Sequence, residues 1–372
     1  MPSARKDYSG VQVLRGLAAM LVVLFHAGVL ADERFGDPGH HLFGPLFRAG
    51  AGGVDVFFPI CGFVMVVSTV GWLAQPSAWR IFLTRRIIRI VPLYWIATTL
   101  KLIVVLAVPA LALHTAISTG YVASSYFFIF AANPAGVVAP LLPVAWTLIF
   151  EMFFYGCFAM AMLLHLSPIR MLAIVMGLVA VAGFFSSPLW PAPLHLIDPI
   201  VLEFVAGMVV AYWALAGRAL PPIAAGALAS LALLALFATD LGVDPGTLRV
   251  RFLLWGLPGV ALLAAAVSLE QWVARGFRLP RLLGDASYAI YISQAFTLPV
   301  VAIALSKADL TGPLGAATAL VAATVACAAV GVLVYRWVER PITRYLGGLV
   351  RARTKRGPRY TGLAASDAAG VP

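Results

Sequence analysis

Two ionisable side chains occupy the first apolar segment of the chain, where lipid would penalise a charge that has no role or partner. Arg15 and His26 are eleven residues apart. At about 100° per residue, an α-helix brings them to within about 20° of one face, and its rise separates them by about 16 Å. A neutral imidazole can take a proton from a hydroxyl, so His26 is a candidate general base.

Glu151 is the carboxylate best placed to assist that imidazole. It lies in the fourth apolar segment, at a predicted depth close to that of His26. A carboxylate beside a histidine orients the ring and stabilises the imidazolium that forms. The residues alone leave open a structural pair that only pins two helices. Asp55, at the outer start of the second apolar segment, is either a third acidic group at this level or a helix-capping residue.

A basic cluster stands at the opposite depth. Arg85, Arg86 and Arg89 lie in the run RRIIRIVPLYW, and as topology determinants they need no further function. Alternatively, with Arg15 at similar depth, they bind an anion, because guanidinium groups match phosphate oxygens bidentately. A nucleotide-bearing thioester such as acetyl-CoA suits this layout, since its pantetheine arm could extend the roughly 16 Å towards His26.

Four further residues are weaker candidates for supporting roles. Trp146, beside Glu151, and Tyr288, Tyr291 and Glu203 all lie in apolar segments. Each is as easily a packing or interface residue.

The composition places all of these groups in a membrane. Of 372 residues, 62% are hydrophobic and 11% are charged, about half the charged fraction of an average soluble domain. Disorder and disulfide scaffolds are excluded, because the first needs low hydrophobicity and the second needs dense cysteine. The three cysteines lie in apolar stretches, where a thiol behaves as a small hydrophobe, and no metal site is expected. They are Cys61, Cys157 and Cys327.

Ten windows are long enough to cross a bilayer, which needs about 20 apolar residues per helix. They run approximately over 11–31, 53–73, 88–109, 143–165, 169–186, 197–217, 220–240, 251–270, 284–305 and 314–337. The stretch 121–132 is half as long and predicts a re-entrant or interfacial helix, with an eleventh crossing as the alternative. The predicted fold is an all-α, polytopic transmembrane helix bundle of about ten spans.

Basic residues set the predicted orientation, because they are retained in cytoplasmic loops. With the N-terminus inside, the inner segments hold 20 of the 26 Lys and Arg residues, which favours both termini in the cytoplasm. The net charge of +11 clusters at span ends, so no nucleic-acid partner is expected. Residues 1–344 form one predicted transmembrane domain, and 345–372 are predicted to be a disordered, basic cytoplasmic tail.

Six segments in order resemble the integral membrane acyltransferases of family three, which O-acylate bacterial surface sugars and other acceptors. They are LRGLAAMLVVLFH, GGVDVFFPICGFVM, FLTRRIIRIVPLYW, AWTLIFEMFFY, LGDASYAIYISQ and VERPI. The form WTLIFEMFFY is most similar to the branch associated with exopolysaccharide acetylation. The resemblance implies that His26 is catalytic, that Arg15 helps it to bind acyl-CoA, and that Glu151, Arg85 and Arg86 support them.

Three positions depart from the family pattern. Gln294 follows SYAIYIS where relatives often have histidine, so it is assigned no acid or base role. Pro59 and Cys61 replace residues that are more usual before the GF of the second segment. These changes concern local helix geometry and leave the predicted class unchanged.

The resemblance implies a multi-pass O-acyltransferase of the bacterial inner membrane, with cytosolic acetyl-CoA or another acyl-CoA as donor. The expected acceptor is a polysaccharide or its lipid-linked sugar precursor. Membrane lipid and polysaccharide biosynthesis proteins are the expected partners. Two alternatives remain: an acyltransferase for a small metabolite, and a transporter or flippase that uses the buried charges for substrate or protons. No pair of broken, mutually repeated segments supports the transporter.

Overall fold

The computed structural model describes residues 8–36, 43, 47–73, 75, 77–107, 117–187, 189–238, 251–273, 278–308 and 310–356. Helices dominate this part of the chain, and its extended pairing is limited to one isolated bridge, between Ala132 and Val138. In chain order the helices are α1 (Ser9–Phe35), α2 (Gly53–Thr69), α3 (Ala78–Ala107), α4 (Thr119–Tyr126), α5 (Trp146–Leu163), α6 (Pro168–Gly183), α7 (Leu202–Leu215), α8 (Pro222–Ala238), α9 (Leu257–Ser268), α10 (Glu270–Val273), α11 (Arg278–Asp285), α12 (Ser287–Leu305), α13 (Gly312–Val334) and α14 (Arg340–Arg356).

The predicted all-α membrane bundle is confirmed, and every predicted window coincides with a helix. Among the described residues, seven helical segments are long and apolar enough to cross a membrane: Ser9–Phe35, Arg48–Thr69, Ala78–Ala107, Pro143–Leu163, Ala192–Leu215, Ser287–Ala308 and Gly312–Val350. The other three windows hold shorter apolar helices, Pro168–Gly183, Pro222–Ala238 and Phe252–Ser268. Helices are the expected form, because each backbone N–H and C=O must be paired within lipid.

The half-length stretch near residue 121 does not cross. Helix α4 has 8 residues, which rise about 12 Å, well short of a hydrocarbon core of about 30 Å. It is tied to α3 at its C-terminal end, where the hydroxyl of Tyr94 donates to the carbonyl of Ser125 at 2.6 Å. The segment is therefore a short helix held against a spanning one.

Helices α2 and α7 pack backbone against backbone through two glycines. A Cβ atom on Gly62 would lie 1.9 Å from the carbonyl oxygen of Phe204, and one on Gly207 would lie 1.9 Å from that of Pro59. Small residues permit this approach, which is typical of membrane helix interfaces. The contact fixes the depth and rotation of α2, which carries Asp55 and Cys61.

The N-terminus of α1 is held by a distant carboxylate. The backbone N–H groups of Ser9 and Gly10 donate to Glu270 of α10, each at 2.7 Å. These groups lack partners within the helix, and a negative charge also complements the helix dipole. A Cβ on Gly284 of α11 would lie 1.9 Å from the carbonyl oxygen of Gln12. Together these contacts fix the end of α1 that carries Arg15.

The apolar core divides into two clusters. The larger one centres on a stack in which Phe204 of α7 lies 4.5 Å, ring centroid to centroid, from both Phe58 of α2 and Phe154 of α5. The smaller one joins α1 to α12 and α13 through small residues such as Ala27, which is fully buried. The candidate site lies between the helices that these clusters hold together.

The last helix is longer than a bilayer requires. Helix α13 continues through a π-helical turn, Tyr335–Glu339, into α14, so residues 345–356 of the predicted disordered tail are helical. A helix propagates readily once formed, because each added residue contributes one backbone hydrogen bond. Residues 357–372 of the predicted tail lie outside the described part of the chain.

Candidate active site

Five helices enclose a cavity that carries most of the predicted chemistry. It comprises about 780 Å³ of space between protein atoms, including its open mouth, and α1, α2, α3, α5 and α12 supply its wall. Its polar lining consists of three arginines, one glutamate, one cysteine and five hydroxyl-bearing residues: Arg15, Arg86, Arg89, Glu151, Cys61, Thr147, Tyr155, Ser287, Tyr288 and Tyr291. Three cations against one carboxylate make this wall electropositive.

Arg15 is held by neutral groups. Its guanidinium donates to the Oε1 atom of Gln12 and to the Oγ atom of Ser287, both at 3.0 Å. The side-chain amide of Gln12 donates in turn to Asp285 at 2.8 Å. Arg15 is thus linked to the Asp285 carboxylate through a neutral amide. The positive charge of Arg15 is therefore oriented without being neutralised by a contacting carboxylate, as an anion-binding group requires.

The other two cavity arginines come from α3, where they are three residues apart and share a face. Arg86 donates to Ser68 at 3.0 Å, and its guanidinium lies 5.9 Å from the ring centroid of Tyr155. Its Nε atom is buried with no hydrogen-bond partner among the described residues. The charges of Arg89 and Arg15 repel each other. Both interact with the buried carboxylate of Glu339, which lies off the cavity wall, so an anion in the cavity would be a second negative partner for them.

Glu151 lies in a small polar group on the same wall. It accepts a short hydrogen bond from the hydroxyl of Tyr155, one turn later on α5. The thiol of Cys61, on α2, lies 3.5 Å from the Oε1 atom of Glu151 and 3.5 Å from the Tyr155 oxygen. A carboxylate in contact with a thiol and a phenol can exchange protons with either.

Two tyrosines of α12 close another side of the cavity. The hydroxyl of Tyr288 donates to the carbonyl of Ile90 at 2.7 Å, which ties α12 to α3. Tyr291 donates a short hydrogen bond to the carbonyl of Val144 and lies 3.0 Å from the hydroxyl of Thr147. Both phenols are thus engaged with neighbouring helices, and they hold the wall in place.

His26 does not line this cavity, and the structure does not bring it into contact with Glu151. Its Nδ1 atom lies 2.8 Å from the carbonyl oxygen of Val22, one turn earlier. A carbonyl only accepts, so Nδ1 carries the hydrogen in the neutral ring and Nε2 keeps its lone pair. The carbonyl of Val22 provides the orienting contact that was predicted for Glu151, whose carboxylate contacts Tyr155 and Cys61 instead.

Three other predicted residues also lie off the cavity wall. Arg85 is exposed, with its guanidinium 5.1 Å from the ring centroid of Trp72. Asp55 is fully buried and accepts two hydrogen bonds of 2.8 Å from Arg251. Trp146 lies against the same arginine, its ring centroid 5.5 Å from the guanidinium carbon. Asp55 thus forms a buried ion pair with Arg251, and Trp146 packs against that arginine.

Sequence reasoning missed several neighbours, and only some of them left a signal. Gln12 precedes Arg15 by three residues and Tyr155 follows Glu151 by four, so helical spacing places each pair on one face. The partnership of Asp55 with Arg251 joins residues 196 positions apart and has no local signature. No group of three or more His, Cys, Asp or Glu in the described ranges could hold a metal ion.

Comparisons with known proteins show the family to which the chain belongs. The sequence model of the acyltransferase domain matches residues 8–336. The chain is 37% identical over 331 residues to the exopolysaccharide production protein ExoZ of Rhizobium meliloti (strain 1021), an overlap that covers 87% of this chain and 95% of that protein. No solved structure matches significantly. The chain therefore belongs to the family defined by the acyltransferase domain, and it is a multi-pass membrane acyltransferase.

Proposed function

We propose that this protein transfers an acyl group, acetyl in the first instance, from cytosolic acyl-CoA to a hydroxyl of an exported polysaccharide or its lipid-linked precursor. The observation that carries this proposal is the cavity in which Arg15, Arg86 and Arg89 face a single glutamate. The name of the relative, an exopolysaccharide production protein, supports the acceptor class. The predicted orientation supports a location in the bacterial inner membrane with the donor on the cytoplasmic side.

The three arginines would bind the phosphates of the donor. Guanidinium groups donate in pairs to phosphate oxygens, and the buried Nε atom of Arg86 has no partner among the described residues. Arg15 is oriented by hydrogen bonds to the neutral side chains of Gln12 and Ser287. Arg85, the residue before Arg86, is exposed and does not line the cavity. Its part in binding the donor phosphates stays a prediction.

His26 would act on the acceptor. Its Nε2 lone pair takes the proton of the acceptor hydroxyl as the oxygen attacks the thioester carbonyl. The carbon–sulfur bond of the donor breaks, and the CoA sulfur leaves with the electron pair and receives the proton that His26 took from the acceptor, which restores the neutral imidazole. Glu151, the glutamate of the cavity wall, would carry protons at the donor end of the site. The roughly 16 Å of helix between Arg15 and His26 matches a donor whose phosphates and thioester are far apart.

The test combines strains with purified protein. O-acetyl content of extracellular and envelope polysaccharides is measured by proton NMR after deletion of the gene and after restoration with wild-type protein or the His26→Ala variant. We expect acetylation to be lost on deletion and recovered only by the wild-type chain. His165→Asn is the control, because His165 is exposed and has a φ of 53°, a conformation that asparagine tolerates.

Purified protein separates this function from transport. An acyltransferase converts acetyl-CoA to CoA when the acceptor is present, whereas a transporter leaves the thioester intact. Full acetylation by the His26→Ala variant would refute the role of His26. Intact acetyl-CoA in the presence of acetylatable polysaccharide would refute the proposed function as a whole.

A further inference from the structure

Glu339 lies close to the cavity arginines and has no role in the proposed function. It belongs to VERPI, one of the six segments that carry the family resemblance, and it ends the π-helical turn Tyr335–Glu339. Only 4% of the residue is exposed, and it does not line the cavity. A buried carboxylate is costly unless cations or hydrogen-bond donors compensate its charge.

The surroundings of Glu339 supply that compensation. The π-helical turn contacts both α3 and α12. Among the charges that act on Glu339, that of Arg89 contributes most and that of Arg15 next. The carboxylate also accepts a hydrogen bond from the backbone N–H of Ala289, in the first turn of α12. Such N–H groups lack partners within their own helix, and the helix dipole favours a negative charge beside them.

Glu339 acts on the arginines through its charge and not through a hydrogen bond to its free oxygen. Its Oε2 atom is buried with no hydrogen-bond partner among the described residues, so no arginine in that part of the chain donates to this atom. The guanidinium of Arg15 is oriented instead by Gln12 and Ser287. Removal of the Glu339 charge should therefore change the electrostatics of the site more than its geometry.

A fixed negative charge beside the arginines has opposite effects on the empty and the occupied site. In the empty cavity it offsets the repulsion between Arg15 and Arg89, on which the two neighbours act in opposite directions. When phosphates occupy the cavity, the same charge repels them. This repulsion extends over several ångströms, because the effective dielectric constant of a partly buried site is far below that of water.

We propose that Glu339 is the internal counter-charge of the donor site, which weakens the binding of CoA and so speeds release of this product. This inference rests on the proposed function. Acyl-CoA and CoA carry the same phosphates, so arginines that bind the donor also retain the product. The counter-charge limits that retention while the arginines still recognise the phosphates, and differences in affinity at one site arise mostly from the dissociation rate.

The test is the affinity of the purified full-length protein for CoA, measured by isothermal titration calorimetry in nanodiscs. Glu339→Gln removes the charge and keeps an oxygen that can accept from Ala289. We expect its Kd for CoA to fall about tenfold. The inhibition constant of CoA as product should fall by the same factor in the transfer assay. Glu33→Gln is the matched control, because Glu33 is exposed near the end of α1 opposite to Arg15.

The sign of the change separates a counter-charge from a residue that only maintains the fold. Loss of a purely structural contact would weaken CoA binding or leave it unchanged, whereas loss of the counter-charge should strengthen it. The effect should also depend on the phosphates. We expect Glu339→Gln to lower KM for acetyl-CoA and to leave KM for acetyl-pantetheine, which lacks the nucleotide phosphates, unchanged.

A thermal measurement covers the case in which the variant is unstable. Without ligand, Glu339→Gln should denature at a lower temperature than wild type, because buried arginines lose a counter-charge. At equal concentration, CoA should raise its Tm more than that of wild type, since the more tightly bound ligand stabilises more. Pantetheine should not.

The outcomes distinguish this inference from the proposed function. Weaker or unchanged CoA binding by Glu339→Gln, or a variant that CoA stabilises no more than wild type, would overturn the role of Glu339. The proposed function would then still stand. Wild-type protein that binds no CoA and consumes no acetyl-CoA in the presence of acceptor would refute the proposed function itself.

Discussion

Replacing Arg89 by glutamine removes one charge from the electropositive wall and keeps a side chain that can still pack. Arg89 lines the cavity and repels Arg15, so its loss relieves a repulsion within the empty site. Glu339, which is buried and interacts with Arg89, also interacts with Arg15 and is not left without a positive neighbour. The substitution therefore tests donor binding with little expected effect on folding.

The size of the effect follows from the contact that is lost. A hydrogen bond between a charged donor and its partner contributes about 1.5–3 kcal/mol. Since about 1.4 kcal/mol corresponds to a tenfold change in binding, KM for acetyl-CoA should rise about 10- to 150-fold. The phosphates do not react, so the contact is equally strong in the ground and transition states, and kcat should be unchanged.

The assay compares two donors. Acetyl-CoA carries the nucleotide phosphates, and acetyl-pantetheine carries the same thioester without them. We expect Arg89→Gln to raise KM for acetyl-CoA alone, so that the preference for acetyl-CoA over acetyl-pantetheine falls by the same factor. Arg80→Gln is the control, because Arg80 is exposed on the same helix, 5.1 Å from the ring centroid of Trp79. An equal rise for both donors, or none for acetyl-CoA, would refute phosphate binding by Arg89.

Three further predictions concern positioning and packing. Gln12→Leu removes the acceptor that orients Arg15 and should raise KM for acetyl-CoA about tenfold in the same two-donor assay. An unchanged KM would contradict the positioning role of Gln12. Arg251→Met leaves the buried carboxylate of Asp55 unpaired and should lower stability by about 3–5 kcal/mol, measured by thermal denaturation. Part of that loss should be recovered when Asp55→Asn is added, since Glu203 and Asp198 also interact with Arg251, and a double variant as unstable as the single one would argue against the ion pair. Gly207→Ala introduces a Cβ 1.9 Å from a backbone oxygen and should reduce the monodisperse fraction in size-exclusion chromatography, whereas Gly226→Ala, with no atom within 4 Å, should not.

Much of the architecture was predictable because lipid imposes it. A chain with 62% hydrophobic residues must pair its backbone polar groups within each spanning segment, so apolar windows of about 20 residues become helices. The same constraint marks Arg15, His26 and Glu151 as candidates, since an ionisable group in lipid is costly without a role. Helical periodicity also holds without tertiary information, as the pairing of Glu151 with Tyr155 four residues later shows.

Which of these groups meet was decided only by packing. Cys61 contacts Glu151 across 90 residues, and Asp55 binds Arg251 across 196. Neither contact has a spacing rule, because each depends on how closely two helices approach and how they are rotated. The contact at Gly62 and Gly207 sets both quantities for α2.

Arg15 and His26 illustrate both what the sequence determines and what only the tertiary structure determines. The amino-acid order alone places them on one face of one helix, because the period of 3.6 residues is a local property of the backbone. Tertiary structure brings Arg15 to the cavity with Arg86 and Arg89 and leaves His26 off its wall, hydrogen-bonded to its own helix. The rotation of a helix against its neighbours is a sum over many weak contacts from distant parts of the chain, and no local pattern encodes that sum.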